Sequence, residues 1–370
     1  MGSKVYYSDL RTGFQNNLID KLERLIRRAG IETIDMNDKF VAIKIHFGEP
    51  GNLSFLRPNW ARVVADEVKK LGGKPFLTDC NTLYVGGRKN ALDHIESAYQ
   101  NGFNPYNTGC HVIIADGLKG NDETEVEVKG ATHIQDKAKI GKAIMDADVF
   151  ISLNHFKGHE STGFGGALKN IGMGCGSRAG KMDMHTMGKP IVNIENCIGC
   201  HKCEKICAHG APTFDENNRC TIDTEKCVGC GRCIALCPKD AIEPSWDNSN
   251  EELNCRMMEY AKAVVDGRPC FHISLAVDIS PNCDCHAEND MPIIPNVGMF
   301  ASFDPVALDQ ACADMCNKMA PNDNSMLSEA EHHTHDHFKD IHPDTNWKQG
   351  LEYAESIGLG SRNYELIIVK

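Results

Sequence analysis

Two short cysteine runs carry the clearest chemical signal in the sequence. Three cysteines, each separated from the next by two residues, can ligate three irons of a cubane cluster, and the fourth iron needs a thiolate from elsewhere in the chain. Both runs have this spacing and add a fourth cysteine after three further residues. The eight cysteines are Cys197, Cys200, Cys203 and Cys207 in the first run and Cys227, Cys230, Cys233 and Cys237 in the second.

The two runs together predict a bacterial-type ferredoxin module with two [4Fe–4S] clusters. In such modules the fourth cysteine of each run ligates the cluster of the other run. The first run departs from the usual pattern because Ala208 stands where a proline is expected, whereas Pro238 follows the second run. Zinc is the alternative, but structural zinc sites usually take their ligands as two pairs. Cluster 1 is therefore assigned to Cys197, Cys200, Cys203 and Cys237, and cluster 2 to Cys227, Cys230, Cys233 and Cys207.

Composition restricts the other classes of function. The chain has 370 residues, 18 cysteines and a formal charge of −12, which argues against a nucleic-acid partner because phosphate binding needs clustered Lys and Arg. The apolar runs 149–153 and 271–277 are too short to span a bilayer, and the first ten residues lack the pattern of a signal peptide. Clustered cysteines in metal-ligand spacing indicate a reducing, anaerobic cytoplasm, because exposed cubane clusters are damaged by oxygen.

Strand-like and helix-like segments alternate on both sides of the cysteine-rich part. Short apolar runs mark strands, and apolar residues at helical spacing mark helices. The alternation predicts an α/β fold, with a mostly parallel sheet covered by helices on both faces. The predicted strands are 40–47, 74–78, 111–115, 148–153, 269–277 and 364–369, and the predicted helices are 58–71, 90–101, 134–146, 250–266 and 305–320.

The alternation stops between residues 190 and 243, which are dense in Cys, Gly and Pro. We therefore expect residues 1–187 and 247–370 to form one discontinuous α/β domain, with residues 188–246 inserted as the ferredoxin module. Three consecutive domains are the alternative. The insertion is favoured because neither flank has a linker-like composition.

A glycine-rich segment, residues 155–176, follows the predicted strand 148–153 and so leaves the carboxyl edge of the sheet. Open α/β sheets bind ligands at that edge, and the N-terminus of a following helix favours an anion. We expect a site here in which Lys157, His159, Lys169 and His185 hold a small anionic substrate or a cofactor and supply protons. A solvated loop is the alternative. Further polar side chains in this part of the chain are Asn154, His155, Asn170, Cys175, Arg178 and Lys181.

A second segment, Cys283-Asp284-Cys285-His286, follows the predicted strand 269–277 and should reach the same edge. Cys283, Cys285 and Cys175 are expected to converge there with one histidine. Such a set suits a further metal, a redox-active dithiol, or a reactive thiolate beside Lys and His. Two unrelated, partly buried thiols are the alternative. The candidate histidines are His46, His159 and His286.

Other Cys and His residues give weaker signals. Cys312 and Cys316 are one helical turn apart among small apolar residues, which predicts core packing, whereas Cys80 follows a predicted strand and is expected to face the pocket. A histidine tract is read as a solvated loop, with metal binding as the alternative. Its members are His332, His333, His335 and His337.

The same segments carry a family resemblance. The chain resembles the iron–sulfur members of the "domain of unknown function 362" family, which implies an α/β domain joined to a ferredoxin module, with no established activity. The matching stretches are VAIKIHFGEPG (41–51), TDCNTLYVGGRKNA (78–91), NHFKGHESTGFGGALKNIGMGC (154–175), CDC (283–285) and SFDPVALDQA (302–311).

The glycine-rich segment is also similar to part of the lactate racemase catalytic domain. There a His-x9-Lys-x15-His pattern supplies a lysine that holds a nickel-pincer nucleotide and histidines that bind nickel or move protons. His159, Lys169 and His185 have the same spacing in this chain. The resemblance suggests a shared pocket, although the racemase lacks the ferredoxin insert.

Three hypotheses of function follow. The first is an oxidoreductase that passes electrons between a redox partner protein and the α/β pocket through two clusters. The second is a non-enzymatic electron carrier or cluster-assembly partner. The third is a racemase-like metalloenzyme in which a further metal or cofactor in the α/β domain does the chemistry.

Overall fold

The computed structural model describes residues 2–84, 86–134, 137–185 and 189–370. The strands are β1 (Ser3–Ser8), β2 (Phe40–Lys44), β3 (Lys74–Asp79), β4 (His111–Ile114), β5 (Glu123–Val126), β6 (Ala138–Gly141), β7 (Val149–His155), β8 (Lys157–His159), β9 (Gly163–Gly165), β10 (Pro190–Val192), β11 (Pro212–Phe214), β12 (Cys220–Ile222), β13 (Ile242–Pro244), β14 (Cys270–Ala276), β15 (Gly298–Ser302) and β16 (Tyr364–Ile368).

Helices alternate with many of these strands. In chain order they are α1 (Leu18–Arg28), α2 (Pro58–Lys70), α3 (Ala91–Gln100), α4 (Pro105–Thr108), α5 (Lys142–Asp146), α6 (Ala167–Cys175), α7 (Arg178–His185), α8 (Lys202–Ile206), α9 (Arg232–Leu236), α10 (Asn250–Val265), α11 (Pro305–Cys316), α12 (His337–Ile341) and α13 (Trp347–Ser356). In the part of the chain that the structure describes, no helix is long and apolar enough to cross a membrane.

Eight strands form the central sheet, in the order β16-β1-β15-β14-β7-β2-β3-β4. Among the described strands of this sheet, β15 runs antiparallel to both neighbours, and every other neighbouring pair is parallel. The prediction of a mixed α/β fold with a mostly parallel sheet is therefore confirmed. Because β2, β3, β7 and β14 are mutually parallel, their carboxyl ends lie at one edge of the sheet.

Both faces of the sheet are covered, as predicted. Successive side chains of a strand point to opposite faces, and the two cores divide accordingly. Phe150 of β7 packs in the core formed with α6, α10 and α11, whereas Val149 and Ile151 pack in the core formed with α1 and α2.

The predicted helix 134–146 is wrong for most of its length. Residues 135 and 136 lie outside the described residues, and the chain then forms strand β6 and the short helix α5. Along β6, Ala138 and Ile140 are buried while Lys139 between them is partly exposed, which is a strand period. The strand pairs with β5, and the carbonyl of Lys139 also accepts a hydrogen bond from the amide of Ser177 at 2.9 Å. Tertiary pairing thus overrides the apolar spacing that suggested a helix.

The cysteine-rich segment consists of two copies of one structural repeat. Strand β10, helix α8 and strand β11 recur as β12, α9 and β13, each 30 residues later, with the two cysteine runs at the same offset. The halves are interleaved because β10 pairs with β13, and β11 pairs with β12. The predicted boundary between residues 187 and 188 lies outside the described residues.

Candidate functional site

Two cavities lie inside the cysteine-rich segment. The first cavity, of about 330 Å³, and the second, of about 360 Å³, are each lined by three cysteines of one run and the fourth cysteine of the other run. The structure thus brings the eight cysteines together in two sets of four. The first cavity is lined by Cys197, Cys200, Cys203 and Cys237, and the second by Cys227, Cys230, Cys233 and Cys207.

Backbone amides face the sulfurs of these cysteines. The amide of Ala241 donates to Cys237 Sγ at 3.1 Å, and the amide of Cys220 donates to Cys197 Sγ at 3.4 Å. Gly199 has φ +62°, and a β-carbon there would lie 2.3 Å from the Asn218 side chain, so only glycine fits this bend. Amides aimed at ligand sulfurs are a means by which proteins set the potential of an iron–sulfur site.

A fifth thiol lines the first cavity. Cys220 Sγ lies 3.6 Å from Cys203 Sγ, and the Cys220 side chain is buried. In the first half of the repeat the same position is Pro190, which lines the second cavity. Sequence reasoning found no partner pattern for Cys220. Only the 30-residue offset could have placed it beside the first run.

Helix α7 connects the cysteine-rich segment to the α/β sheet. A β-carbon on Gly231, between Cys230 and α9, would lie 3.1 Å from the side chains of Arg178 and Met182 on α7. The guanidinium of Arg178 donates to the carbonyl of Thr82 at 2.9 Å, in the loop after β3. The other end of α7 is His185, which lines the pocket at the sheet edge.

A pocket lies at the carboxyl edge of the central sheet and has two chambers. The inner chamber, of about 470 Å³, receives residues from the ends of β2, β3 and β7, and the outer chamber, of about 1010 Å³, opens from it. Tyr84, Lys169 and Met173 line both chambers. Other residues of the inner chamber are Lys44, His46, Asp79, Cys80, Arg88, His155, Lys157 and Lys181, and others of the outer chamber are His159, Glu160, His185, Trp246, Cys285 and His286.

A buried ion pair forms the floor of the inner chamber. Lys44 Nζ lies 2.9 Å from Asp79 Oδ1 and donates to Asn170 Oδ1 at 2.7 Å. A β-carbon at Gly174 would lie 2.6 Å from Lys44 Nζ, so glycine at this position of α6 leaves room for the lysine. A buried charge needs such a partner because removing one leaves the other uncompensated.

The ammonium group of Lys169 is hydrogen-bonded to a cysteine. Lys169 Nζ donates to Cys283 Sγ at 2.8 Å; Lys169 lines both chambers, whereas Cys283 is fully buried behind it and lines neither. Burial by itself would raise the pKa of Cys283. The hydrogen bond from the Cys285 thiol and the charges of Lys169 and Lys157 outweigh it and hold the pKa of Cys283 well below its ordinary value. These contacts favour the thiolate form of Cys283, whereas the same hydrogen bond raises the pKa of Cys285.

The two sequence-predicted histidines are fixed in different ways. His159 Nδ1 accepts hydrogen bonds from the amides of Ser161 and Thr162 at 3.1 and 3.3 Å, so its proton is assigned to Nε2. Burial lowers the pKa of His185 to about 3, and its ring lies 4.8 Å from the ring of Trp246. We conclude that His185 is neutral at physiological pH and that His159 presents an N–H donor.

The N-terminus of α6 is capped by the chain itself. The amides of Ala167 and Leu168 donate to the carboxylate of Asp309 at 2.7 and 2.9 Å. Sequence reasoning expected this helix N-terminus to favour an anionic ligand, and the carboxyl group of Asp309 occupies it instead. A ligand in the pocket must therefore be held by side chains.

Several sequence-predicted residues lie elsewhere. Cys175 is fully buried, and its carbonyl accepts a hydrogen bond from Cys80 Sγ at 3.4 Å, but its side chain does not line either chamber. Cys312 and Cys316 are buried in the core, as predicted. The predicted histidine tract is exposed except for His337, which is buried and contacts the carbonyl of Met319 at 2.8 Å.

Comparisons with solved structures found distant neighbours, among them the following two. A protein from Thermotoga maritima solved by structural genomics is 13% identical with a TM-score of 0.41, over 83% of this chain and 59% of that one, so this chain spans about three fifths of its length. The lactate racemase apoprotein from Thermoanaerobacterium thermosaccharolyticum is 12% identical with a TM-score of 0.38, over 99% of this chain and 83% of that one. No curated protein matches the sequence.

One comparison shows the family of the chain. The family model described as "Domain of unknown function (DUF362)" matches residues 41–314. The match includes the strands that form the sheet edge, the glycine-rich segment, both cysteine runs and the loop that carries Cys283. The chain therefore belongs to the DUF362 family.

Proposed function

We propose that this protein is an iron–sulfur oxidoreductase, with two [4Fe–4S] clusters that exchange electrons with the pocket at the sheet edge. One observation carries the proposal. Each of the two cavities is lined by three cysteines of one run and the fourth cysteine of the other run, in the crossed arrangement that two-cluster ferredoxins use.

The residues fit cubane clusters better than single metal ions. Structural zinc sites usually take their ligands as two pairs. Here each run supplies three cysteines to one cavity and its fourth cysteine to the other, and backbone amides point at the sulfurs of Cys197 and Cys237. All eighteen cysteines are free, which supports a reducing compartment such as the cytoplasm.

Helix α7 and Tyr84 supply the connection between clusters and pocket. Tyr84 packs against the core of the cysteine-rich segment and lines both chambers. From Arg178, beside Gly231, to His185 in the outer chamber, α7 spans eight residues, or about 12 Å at 1.5 Å per residue. Cluster 2, with Cys230 and Cys233 flanking Gly231, is therefore the proposed point of exchange with the pocket.

The pocket supplies groups for binding and proton transfer. Lys157 and Lys169 favour a small anionic substrate, and the N–H of His159 and the neutral ring of His185 can donate and accept protons. Cys283, which accepts a hydrogen bond from Lys169, adds a thiol next to these groups. A separate redox protein would supply or remove electrons at the exposed face of the clusters, where Cys200 is exposed.

The proposal is tested by purifying or reconstituting the protein without oxygen. We expect about eight irons and eight acid-labile sulfides per chain and an EPR spectrum of two reduced clusters. Cys230→Ser should alter or remove one cluster, while Cys270→Ser, outside both runs, should leave both intact. Zinc in place of iron, or equal iron loss in Cys270→Ser, would refute the proposal.

A further inference from the structure

A second metal site is formed by residues outside both cysteine runs. We propose that Glu160, Cys285 and His286 bind a divalent first-row transition-metal ion of the zinc class, with an open coordination position that faces the outer chamber. The site is separate from the eight cluster cysteines, and its existence does not depend on the clusters.

The ligand atoms of the three side chains lie almost as close together as those of a metal site. One ligand atom of each, a carboxylate oxygen, a sulfur and a ring nitrogen, lies within 4.8 Å of the other two. His286 Nε2 is 3.2 Å from Glu160 Oε1. With bonds of about 2.0–2.3 Å, tetrahedral ligand atoms are about 3.5 Å apart, so closure needs a contraction of at most about 1.3 Å. The Glu160 side chain is exposed and free to make this movement.

The donor set selects the class of ion. Calcium and magnesium take oxygen ligands, which leaves no role for Cys285 and His286. A set of one sulfur, one nitrogen and one oxygen suits zinc and its neighbours in the first transition row. Three protein ligands are also the number that catalytic zinc sites use, with the fourth position left for water or substrate. All three residues line the outer chamber, so that position opens into it.

The carboxylate of Glu288 lies where the hydrogen-bond partner of a metal-bound histidine is expected. His286 presents Nε2 to Glu160, and its Nδ1 lies 3.3 Å from Glu288 Oε1. Metal-bound histidines commonly donate their second ring N–H to a carboxylate, which fixes the tautomer and orients the ring. Glu288 is thus a positioning residue for the proposed site.

The two loops that carry the ligands are held tightly together. Glu160 lies in the turn between β8 and β9, and the other two ligands lie in the loop after β14. The amide of Gly158 donates to the carbonyl of Ser280 at 2.8 Å, and a β-carbon on Gly158 would lie 2.2 Å from the carbonyl oxygen of Pro281. The carbonyl of His286 itself accepts a hydrogen bond from Asn52 at 2.8 Å. This support limits how far the ligands can separate, which favours binding.

The test uses the cluster-loaded protein, freed of loosely bound metal on a chelating resin without oxygen. Cobalt(II) is the probe, because a cobalt–thiolate bond gives a charge-transfer absorption that reports Cys285 directly. We expect one tightly bound cobalt per chain in addition to the cluster iron. Cys285→Ser should lose the charge-transfer absorption, and Glu160→Gln and His286→Gln should weaken binding at least tenfold.

Matched controls separate the site from the rest of the chain. Cys270→Ser and His333→Gln should bind cobalt as the unaltered protein does. Glu288→Gln should weaken cobalt binding by about tenfold, which is a smaller loss than that of the ligand variants. Glu160 is exposed, so Glu160→Gln tests the site without risk to folding. No cobalt binding by the unaltered protein, or an unchanged charge-transfer absorption in Cys285→Ser, would overturn the proposal. Iron content, measured on the same samples, reports the clusters independently.

Discussion

The ammonium of Lys169, which lines both chambers of the pocket, lies 2.8 Å from the sulfur of the fully buried Cys283. Each group neutralises a charge that would be costly to bury alone. The lysine that sequence reasoning assigned to an anionic ligand is therefore already paired with an anion of the chain. A substrate anion must compete with Cys283 for Lys169, or react with the thiolate that the lysine stabilises.

This pairing predicts a non-additive effect of substitution. Lys169→Met leaves the buried thiolate without its nearest cation and should destabilise the protein by about 3 kcal/mol. Cys283→Ser in the same chain should recover part of that loss, with a coupling energy of about 1 kcal/mol or more. Thermal unfolding of the two single variants and the double variant, without oxygen, measures the coupling. Additive effects would mean that the contact is electrostatically unimportant.

Lys169 also separates the catalytic hypothesis from that of a simple carrier. In a Lys169→Ala protein whose iron content is unchanged, we expect the clusters to accept electrons as before but any turnover that depends on the pocket to be lost. Lys119→Ala, on the surface loop after β4, is the control. If Lys169→Ala kept all of the electron-transfer function of the unaltered protein, the hypothesis of a non-enzymatic carrier would be favoured.

Cys220 is expected to tune cluster 1 without ligating it. Its sulfur lies 3.6 Å from Cys203 Sγ, where a thiol hydrogen bond would stabilise the more negative, reduced cluster. Cys220→Ala should keep the full iron content and shift one reduction potential to a more negative value in a spectroelectrochemical titration. Cys110→Ala, far from both runs, should shift neither potential. Loss of four irons from Cys220→Ala would identify it as a ligand instead.

Gly158 is expected to be intolerant of a side chain. A β-carbon there would lie 2.2 Å from the carbonyl oxygen of Pro281, so Gly158→Ala must push the loop after β14 away from β8. Such overpacking typically costs 1–3 kcal/mol, and it should also weaken cobalt binding by separating Glu160 from Cys285. Gly13→Ala is the matched control, because no atom lies within 4 Å of a β-carbon at that position. Equal melting temperatures for the two variants would contradict the packing argument.

Buried His272 makes the fold sensitive to acid. Burial lowers the pKa of His272 to about 3, whereas an unfolded histidine titrates near 6.5. The folded state therefore binds fewer protons, so stability is greatest above pH 6.5 and falls as the pH decreases. Between pH 7.5 and 5.5 we expect a loss of about 1 kcal/mol from this residue. His272→Asn keeps a polar partner for Ser152, which contacts the ring at 2.9 Å, and should lose less stability over this range.

Sequence reasoning succeeded where the relevant pattern is local. Strand β2 and helix α2 follow from apolar runs and helical spacing, and Asp304 caps α11 as the Asp-Pro pair predicts. The spacing of the cysteine runs similarly predicted which four cysteines of the runs share each cavity, because closely spaced cysteines in one run must lie near one another.

Sequence reasoning failed where a residue acts on a distant part of the chain. Asp309 caps α6 across 142 positions of sequence, and no local pattern connects them. Strand β15 was not predicted because its role depends on pairing with β1 at the other end of the chain. Glu160 was read only as part of a glycine-rich segment, since its neighbour His286 lies 126 positions away.

The crossed pairing of the cysteine-rich segment has an evolutionary consequence. Pro190 pairs with Pro244, so the chain enters and leaves this segment at adjacent points, roughly 5 Å apart as in any antiparallel pair. A tight turn in place of residues 190–244 would still join α7 to α10 without altering the order of the central sheet. Gain or loss of the whole segment is thus a single local event at the gene level. The pocket and the cysteine-rich segment can then be inherited, exchanged or lost separately.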